Sequence, residues 1–349
     1  MQTVRRDGRV VGPPAQTTHE RGSKIVTDVL YIAQLANLEP WLTDFREAAD
    51  GVIDYEVLDP GRPLDEQLTG VAVVVDQGGH GTREMIDAGA RAHVRLWQVL
   101  GTGLDHTEVD HILSRGIPLA NTPGQFSSVA LAEHALMLIL CFAKRLREAE
   151  ANCRIGAMYA PVTDELADQV LGIVGFGASG RELAQRAGAL GMRIRAVDVA
   201  AVDEHELRRL RIERFAGIDG LDALLAESDF VSVHVPLTAT TRHLIDERRL
   251  SLMKPTAAIV NVARGAIIDE DALVRALRAR TIAGAGIDVF SQEPLQPDNP
   301  MLALENLIAT PHIAGVTRGT SRRRSAACVE NAQRVLRGDE PLFRVLANA

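Results

Sequence analysis

The chain has few cysteines, no long hydrophobic run, no surplus of basic residues and no apolar leader. Its three cysteines, Cys141, Cys153 and Cys328, form no CxxC pair and no metal-type spacing. That excludes a disulfide framework or a cysteine-based metal centre and implies reduced thiols; no metal site is expected. The longest strongly apolar run, ALMLILCFA from Ala135 to Ala143, is too short to span a bilayer and lies between Glu133 and Lys144, which predicts a buried helix. With 38 Lys and Arg against 46 Asp and Glu, the net charge is −8. An acidic chain is repelled by nucleic acid and by anionic membranes, so neither is an expected partner. A small anion can still be held by one local arginine, because distant charges are screened beyond about 10 Å. The opening stretch, MQTVRRDGRVVGPPAQTTHERGSK, is rich in Arg, Gly and Pro and lacks the apolar core of a secretory signal. Residues 1–23 are therefore expected to be an N-terminal arm, and the location cytoplasmic.

At 349 residues, 46% hydrophobic and 24% charged, the composition is that of a globular protein with room for two domains. Short β-branched runs alternate with helical stretches, the rhythm of an α/β protein with parallel sheets. KIVTDVLYI, GVIDYEVL, VAVVVDQ, VRLWQVL and IPLAN predict the strands of a first unit. A long helix is expected from about Phe126 to Cys153, with Ser127 or Ser128 as its cap. A second unit begins at QVLGIVGFG and continues through MRIRAVD, DFVSVHV, AAIVNVA, IAGAGIDVF and NLIATPH, with strands apolar on both faces as in a covered sheet. The closing helix, TSRRRSAACVENAQRVL, fits neither series and is expected to return to the first unit. The expected division is 24–121 plus 316–349 as a discontinuous substrate domain and 122–315 as a nucleotide-binding domain.

GIVGFGASG places Gly175, Gly177 and Gly180 as GxGxxG between a strand and a helix. Gly175 suits the tight turn, Gly177 the approach of a pyrophosphate to the backbone, and Gly180 the packing of helix on strand. The helix start then offers free N–H groups, including those near Ala178 and Ser179, to the phosphates. MRIRAVD ends at Asp198, the offset of a ribose-binding acid. The following Val199, Ala200 and Ala201 supply no arginine for a 2′-phosphate, so NAD is expected over NADP.

Further strand ends carry Arg264 in VNVARG, Asp288 and Glu293 in GIDVFSQEPL, and His312 in ATPHIAG. These motifs, in this order after the fingerprint, resemble the D-isomer-specific 2-hydroxyacid dehydrogenases, from about Val71 to the C-terminal PLFRVLANA. The resemblance implies two Rossmann-like or flavodoxin-like parallel-sheet domains with the active site in the cleft between them, and hydride transfer between nicotinamide and C2 of a D-2-hydroxy acid. It implies His312 as the acid/base, Glu293 as the carboxylate on its other ring nitrogen, and Arg264 as the bidentate grip on the substrate carboxylate. It adds Val235, Pro236, Thr238, Val262, Ala263, Arg264, Asp288, His312 and Gly315 to the cofactor's surroundings. Asp288 is equally well accounted for as a turn acid after a strand. Gln77, Gly78 and Gly79 of the DQGGHG loop match the place where backbone N–H groups meet substrate, beside a loop histidine, His80. The apolar helix and the segment to about Asp168 are the expected homodimer surface.

Two departures stand out. Ala178 and Ser179 replace the larger pair many relatives carry between the second and third glycines, and DQGGHG is unlike the commoner loop. Glu293 argues against formate dehydrogenase activity, where the histidine pairs with glutamine, and the loop lacks the lysine of phosphite dehydrogenases. Glyoxylate, hydroxypyruvate and phosphoglycerate-type substrates stay open. Arg322, Arg323 and Arg324 form either a site for a phosphorylated substrate or a solvated helix face. The alternative of another class is a non-enzymatic, NADH-sensing interaction protein on the same fold.

Overall fold

The structure, a computed structural model, describes residues 27–34 and 39–346. The expected arm over 1–23 lies outside the described residues. The described strands, in chain order, are β1 (Val29–Ile32), β2 (Tyr55–Val57), β3 (Val73–Gln77), β4 (Leu96–Leu100), β5 (Leu119–Ala120), β6 (Val170–Val174), β7 (Arg193–Val197), β8 (Ile212–Ala216), β9 (Phe230–Val233), β10 (Ala258–Asn261), β11 (Gly284–Ile287), β12 (Leu307–Ala309) and β13 (Arg344–Val345).

They form two sheets. The first has the order β2-β1-β3-β4-β5-β13, parallel except for β13, which runs antiparallel to β5. The second is wholly parallel, in the order β8-β7-β6-β9-β10-β11-β12. These are the flavodoxin-like and Rossmann orders, and in the second the direction of winding reverses between β6 and β9. Ligands of such sheets sit beyond the strands' carboxyl ends at that reversal.

The central strands are buried along their whole length, β3, β4, β6, β9, β10 and β11 among them, because helices cover both faces. The edge departs from that pattern. β8, IERFA, escapes a hydrophobicity-based reading because it is half-exposed and charged. Arg193 of β7 fixes it through Glu213 at 2.9 Å. Burying apolar residues on both faces is needed only where both faces are covered.

The helix expected over 126–153 is two helices, Ser128–Ala143 and Leu146–Arg154, after a short 3-10 turn at Gly124–Phe126. The chain breaks at Arg145, whose φ of +47° is left-handed. Its neighbour Lys144 gives its ammonium to the Asp164 carbonyl at 2.6 Å, so the cations at the break tie down the returning chain. Neither serine caps the first of these helices: Ser128 Oγ donates to the Gln125 carbonyl at 3.2 Å instead, serving the preceding turn.

The closing helix (Arg318–Arg337) returns to the first sheet, packing Cys328, Val329, Ala332 and Val335 against Trp41, Phe45 and Leu96. Asn331 locks it there. Wholly inside the protein, it donates to Gln98 Oε1 on β4 at 2.6 Å and to the Leu342 carbonyl at 3.0 Å, and accepts from the Leu342 N–H at 2.7 Å. Three polar groups, one on buried Gln98 and two on half-buried Leu342, depend on that one side chain. Asn331→Ala should therefore cost about 2–4 kcal/mol in urea unfolding, and hydrogen exchange should show β13 opening first. A loss within ~0.5 kcal/mol would mean that these groups find other partners.

Candidate active site

Every motif residue singled out in the second unit lies just past a strand's carboxyl end, on one edge of the Rossmann sheet. Gly175 follows β6 with φ +96°, and an added Cβ would stand 2.7 Å from the His234 carbonyl carbon. Gly180 supports the carbonyl oxygen of Gly175 so closely that a Cβ would lie 2.2 Å away. At Gly177 nothing stands within 4 Å of where a Cβ would be, so the mouth of the helix Ala178–Ala189 is open to a phosphate. Asp198 follows β7, and its carboxylate accepts the N–H of Phe176 at 2.6 Å and of Ala200 at 2.9 Å, placing it beside the fingerprint turn. Val262 and Ala263 are buried at the end of β10, and the Thr241 hydroxyl donates to the Pro236 carbonyl in the turn that holds Val235 and Thr238. These residues fit a dinucleotide.

His312 and Glu293 meet. The imidazole Nδ1 donates to Glu293 Oε2 at 2.7 Å, while Glu293 Oε1 accepts the Phe290 N–H at 2.9 Å. A carboxylate only accepts, so the ring proton sits on Nδ1 and Nε2 is the basic nitrogen. The half-exposed histidine itself carries the left-handed turn of its loop, with φ +54°, whereas the glycine that closes the motif, Gly315, has no positive φ.

The loop is pinned by Asp288, wholly buried after β11. Its carboxylate accepts the Thr310 hydroxyl at 2.6 Å, the Ile313 N–H at 2.9 Å and the Ala314 N–H at 2.8 Å. His134, from the helix Ser128–Ala143, reaches Thr310 Oγ1 at 2.9 Å behind it. Asp288 thus acts on the backbone around His312.

Arg264 crosses to the other domain. Its Nε donates to Asp105 Oδ2 at 2.7 Å and Nη1 to the Ala263 carbonyl at 2.7 Å. Asp105 belongs to the loop after β4, where a Cβ on Gly103 would stand 1.7 Å from Arg264 Nη2. Asn261 shapes the turn, accepting the Ala263 N–H and donating to the Arg264 carbonyl. Gly265 answers to crowding: a Cβ would lie 1.9 Å from the Phe290 carbonyl carbon, so only glycine lets the ends of β10 and β11 close up.

On the first sheet, Gly78 and Gly79 both have left-handed φ, +80° and +78°, directly after β3. Gly78 spends its N–H on the Leu100 carbonyl at 3.2 Å; no acceptor meets that of Gly79 among the described residues. Gln77 turns its side chain to β1, accepting from the Tyr31 hydroxyl at 3.0 Å. Asp76 holds the loop, taking bonds from Trp97 Nε1 and the N–H groups of His80 and Gly81, while burial pushes its pKa up. His80 stacks on His106.

The arginine run divides. Arg322 pairs with Asp44 and Arg323 donates to the Phe126 carbonyl, but Arg324 is no solvated residue: it donates to Thr102 Oγ1 at 2.7 Å and lies over Trp41, and burial brings its pKa down to about 10. Asp105, Asn261, His134, Thr310 and His234 escaped the sequence reading. Asn261 and Thr310 lay within quoted motifs, VNVARG and ATPHIAG, but like the others they act through contacts that a motif does not report.

Residues 136–314 match the family model for the D-isomer specific 2-hydroxyacid dehydrogenase, NAD binding domain. The chain belongs to this family. It is 39% identical over 260 residues to a glyoxylate reductase of Korarchaeum cryptofilum, covering 72% of this chain and 76% of that protein. It is 41% identical over 241 residues to an (S)-sulfolactate dehydrogenase of Chromohalobacter salexigens, covering 68% and 76%. Among solved structures, a D-lactate dehydrogenase of Aquifex aeolicus complexed with NAD and lactic acid superimposes with a TM-score of 0.76 at 28% identity, covering 92% of this chain and all of that one. The protein is an NAD-dependent 2-hydroxyacid dehydrogenase.

Burial pushes the Glu293 carboxyl up, but the bonds from His312 and Phe290 and the nearby charges of His312 and Arg264 outweigh it, and its pKa ends below the usual carboxylate range. A carboxyl lowered in the folded state stabilises the fold above its unfolded pKa of about 4.3, and the gain vanishes as pH falls through the folded value. The stability gap between wild type and Glu293→Gln should accordingly be widest near neutrality and shrink as pH falls below about 4.3, toward the lowered folded value. A gap independent of pH would show that Glu293 titrates alike in both states.

Proposed function

We propose that the enzyme transfers a hydride between nicotinamide and C2 of a small D-2-hydroxy or 2-keto acid, with His312 as acid/base. The observation that carries this reading is the 2.7 Å bond from His312 Nδ1 to Glu293, which leaves Nε2 free to exchange a proton. In the oxidising direction Nε2 takes the proton of the substrate hydroxyl; in reduction the imidazolium returns it to the carbonyl oxygen. The bound cofactor supplies or accepts the hydride. Glu293 stabilises the charged ring between these steps. Arg264, held through Nε by Asp105, offers Nη2 to the substrate carboxylate, and the Gly79 N–H faces the same anion from the other domain. Asp198 takes the ribose hydroxyls. The domains themselves we take as 24–121 with 316–349 and 122–315.

Relatives named glyoxylate reductase, hydroxypyruvate reductase and sulfolactate dehydrogenase set the panel. Purified protein should oxidise NADH with at least one of glyoxylate, hydroxypyruvate, sulfopyruvate and phosphohydroxypyruvate. His312→Gln should lower kcat by about 10²–10⁴-fold while NADH affinity is nearly kept. A near-normal kcat in the variant would remove His312 from proton transfer. Tight NADH binding with no turnover on any substrate would favour a sensing protein.

We also take the enzyme to be a homodimer. The segment after the helix Leu146–Arg154 exposes Ile155, Met158, Tyr159 and Val162, each at least 70% accessible. Side chains of that size left in water together call for a partner, and a second copy of the same patch is self-complementary about a two-fold axis. Sedimentation should give a dimer, and Tyr159→Glu with Ile155→Asp a monomer. A wild-type monomer at micromolar concentration would end this proposal.

A further inference from the structure

His234 follows β9, the strand beside β6 at the winding reversal, and its ring reaches under the phosphate loop that follows β6. Nε2 lies 2.8 Å from Ser232 Oγ and Nδ1 lies 3.0 Å from Ser179 Oγ. Desolvation by burial brings the imidazole's pKa down to about 4, so the ring is neutral and has one N–H to give.

Counting hydrogens decides which nitrogen bears it. Ser232 is wholly buried in mid-strand, and among the described residues Nε2 is the one partner of its hydroxyl. If Nε2 carried the proton, Ser232 would only accept and its own O–H would be buried without a partner, a cost of about 1–3 kcal/mol. If Ser232 donates to Nε2, nothing is left unmet. The ring proton is then on Nδ1 and is donated to Ser179 Oγ. Ser179 thereby has its acceptor side filled and its O–H directed away from the ring. It occupies the second position of the helix Ala178–Ala189, beside the exposed Gly177 and Ala178, where the helix presents its N–H groups.

We propose that Ser232 and His234 are positioning residues that set Ser179 as a hydroxyl donor to the cofactor pyrophosphate. The small Ala178-Ser179 pair then brings a polar contact in place of bulk. This inference concerns the phosphate loop alone and stands apart from the role given to His312.

Two measurements test it, neither requiring turnover. In ¹⁵N-histidine correlation spectra of the whole protein, the His234 signals, assigned by their loss in His234→Phe, should show the Nδ1–H tautomer. In calorimetric titrations, Ser179→Ala and His234→Phe should each weaken ADP by about tenfold and leave adenosine unchanged, with the double variant no weaker than Ser179→Ala alone. An Nε2–H tautomer, or ADP binding unaltered in Ser179→Ala, would overturn the proposal. So would equal losses for ADP and adenosine, or additive losses in the double variant. Should His234→Phe not fold, Ser232→Ala, which removes the hydroxyl on Nε2, takes its place: it should also weaken ADP and spare adenosine, and unaltered ADP binding would overturn the positioning role.

Discussion

Asp288 is wholly buried, and a carboxylate taken out of water is tolerable only when its lone pairs are filled. The groups that fill them are the Thr310 hydroxyl and the N–H groups of Ile313 and Ala314, which bracket His312. Satisfying the acid and shaping the histidine loop are therefore one event. The loop also stores strain, since a non-glycine residue at φ +54° costs on the order of 1–3 kcal/mol. Three hydrogen bonds to a buried charge hold it in that state. Relaxing His312 toward negative φ would pull N–H groups from Asp288, so the imidazole cannot drift from Glu293 without exposing a larger cost.

A second constraint links the two domains. Arg264 stands at the end of a Rossmann strand, yet its guanidinium is aimed by Asp105 on the opposite domain, through the space Gly103 leaves. A bridge between half-exposed groups contributes little to stability. Its effect is geometric, because taking Nε and Nη1 leaves a single nitrogen uncommitted and fixes where it points. Gly265 completes the arrangement by letting the ends of β10 and β11 approach, so Arg264 comes close enough to help keep Glu293 charged.

The fold class and the order of catalytic motifs were legible because both rest on local signals. Parallel strands covered on both faces are apolar throughout, and GxGxxG, NxARG and PHIAG each place their residues at a strand's end. What stayed illegible depends on the other side of a contact. β8 is an edge strand with charged residues, so it lacks the apolar pattern of its neighbours. The break at Arg145 follows from where the returning chain offers carbonyls, which helix propensity does not report. Arg324 belongs to a run that suits a phosphate site or a solvated face, and its enclosure by Thr102 and Trp41 depends on residues far off in the chain. Asp105 carries no motif, and only the meeting of two domains gives it a partner.

The same logic explains how a chain of net charge −8 holds an anionic cofactor. Distant charges fade beyond about 10 Å at physiological salt, whereas donors in hydrogen-bond reach act at full strength. The fingerprint supplies those donors without lysine or arginine among its glycines: backbone N–H groups at a helix start and a serine hydroxyl backed by a neutral histidine. Neutral donors ordered by the fold attract phosphate and bring no unpaired charge when the cofactor leaves. Adjacency of β6 and β9 is the condition for this, since it sets His234 beneath Ser179 although 55 residues separate them in the chain. Sheet topology, more than composition, makes the phosphate loop polar where it must be.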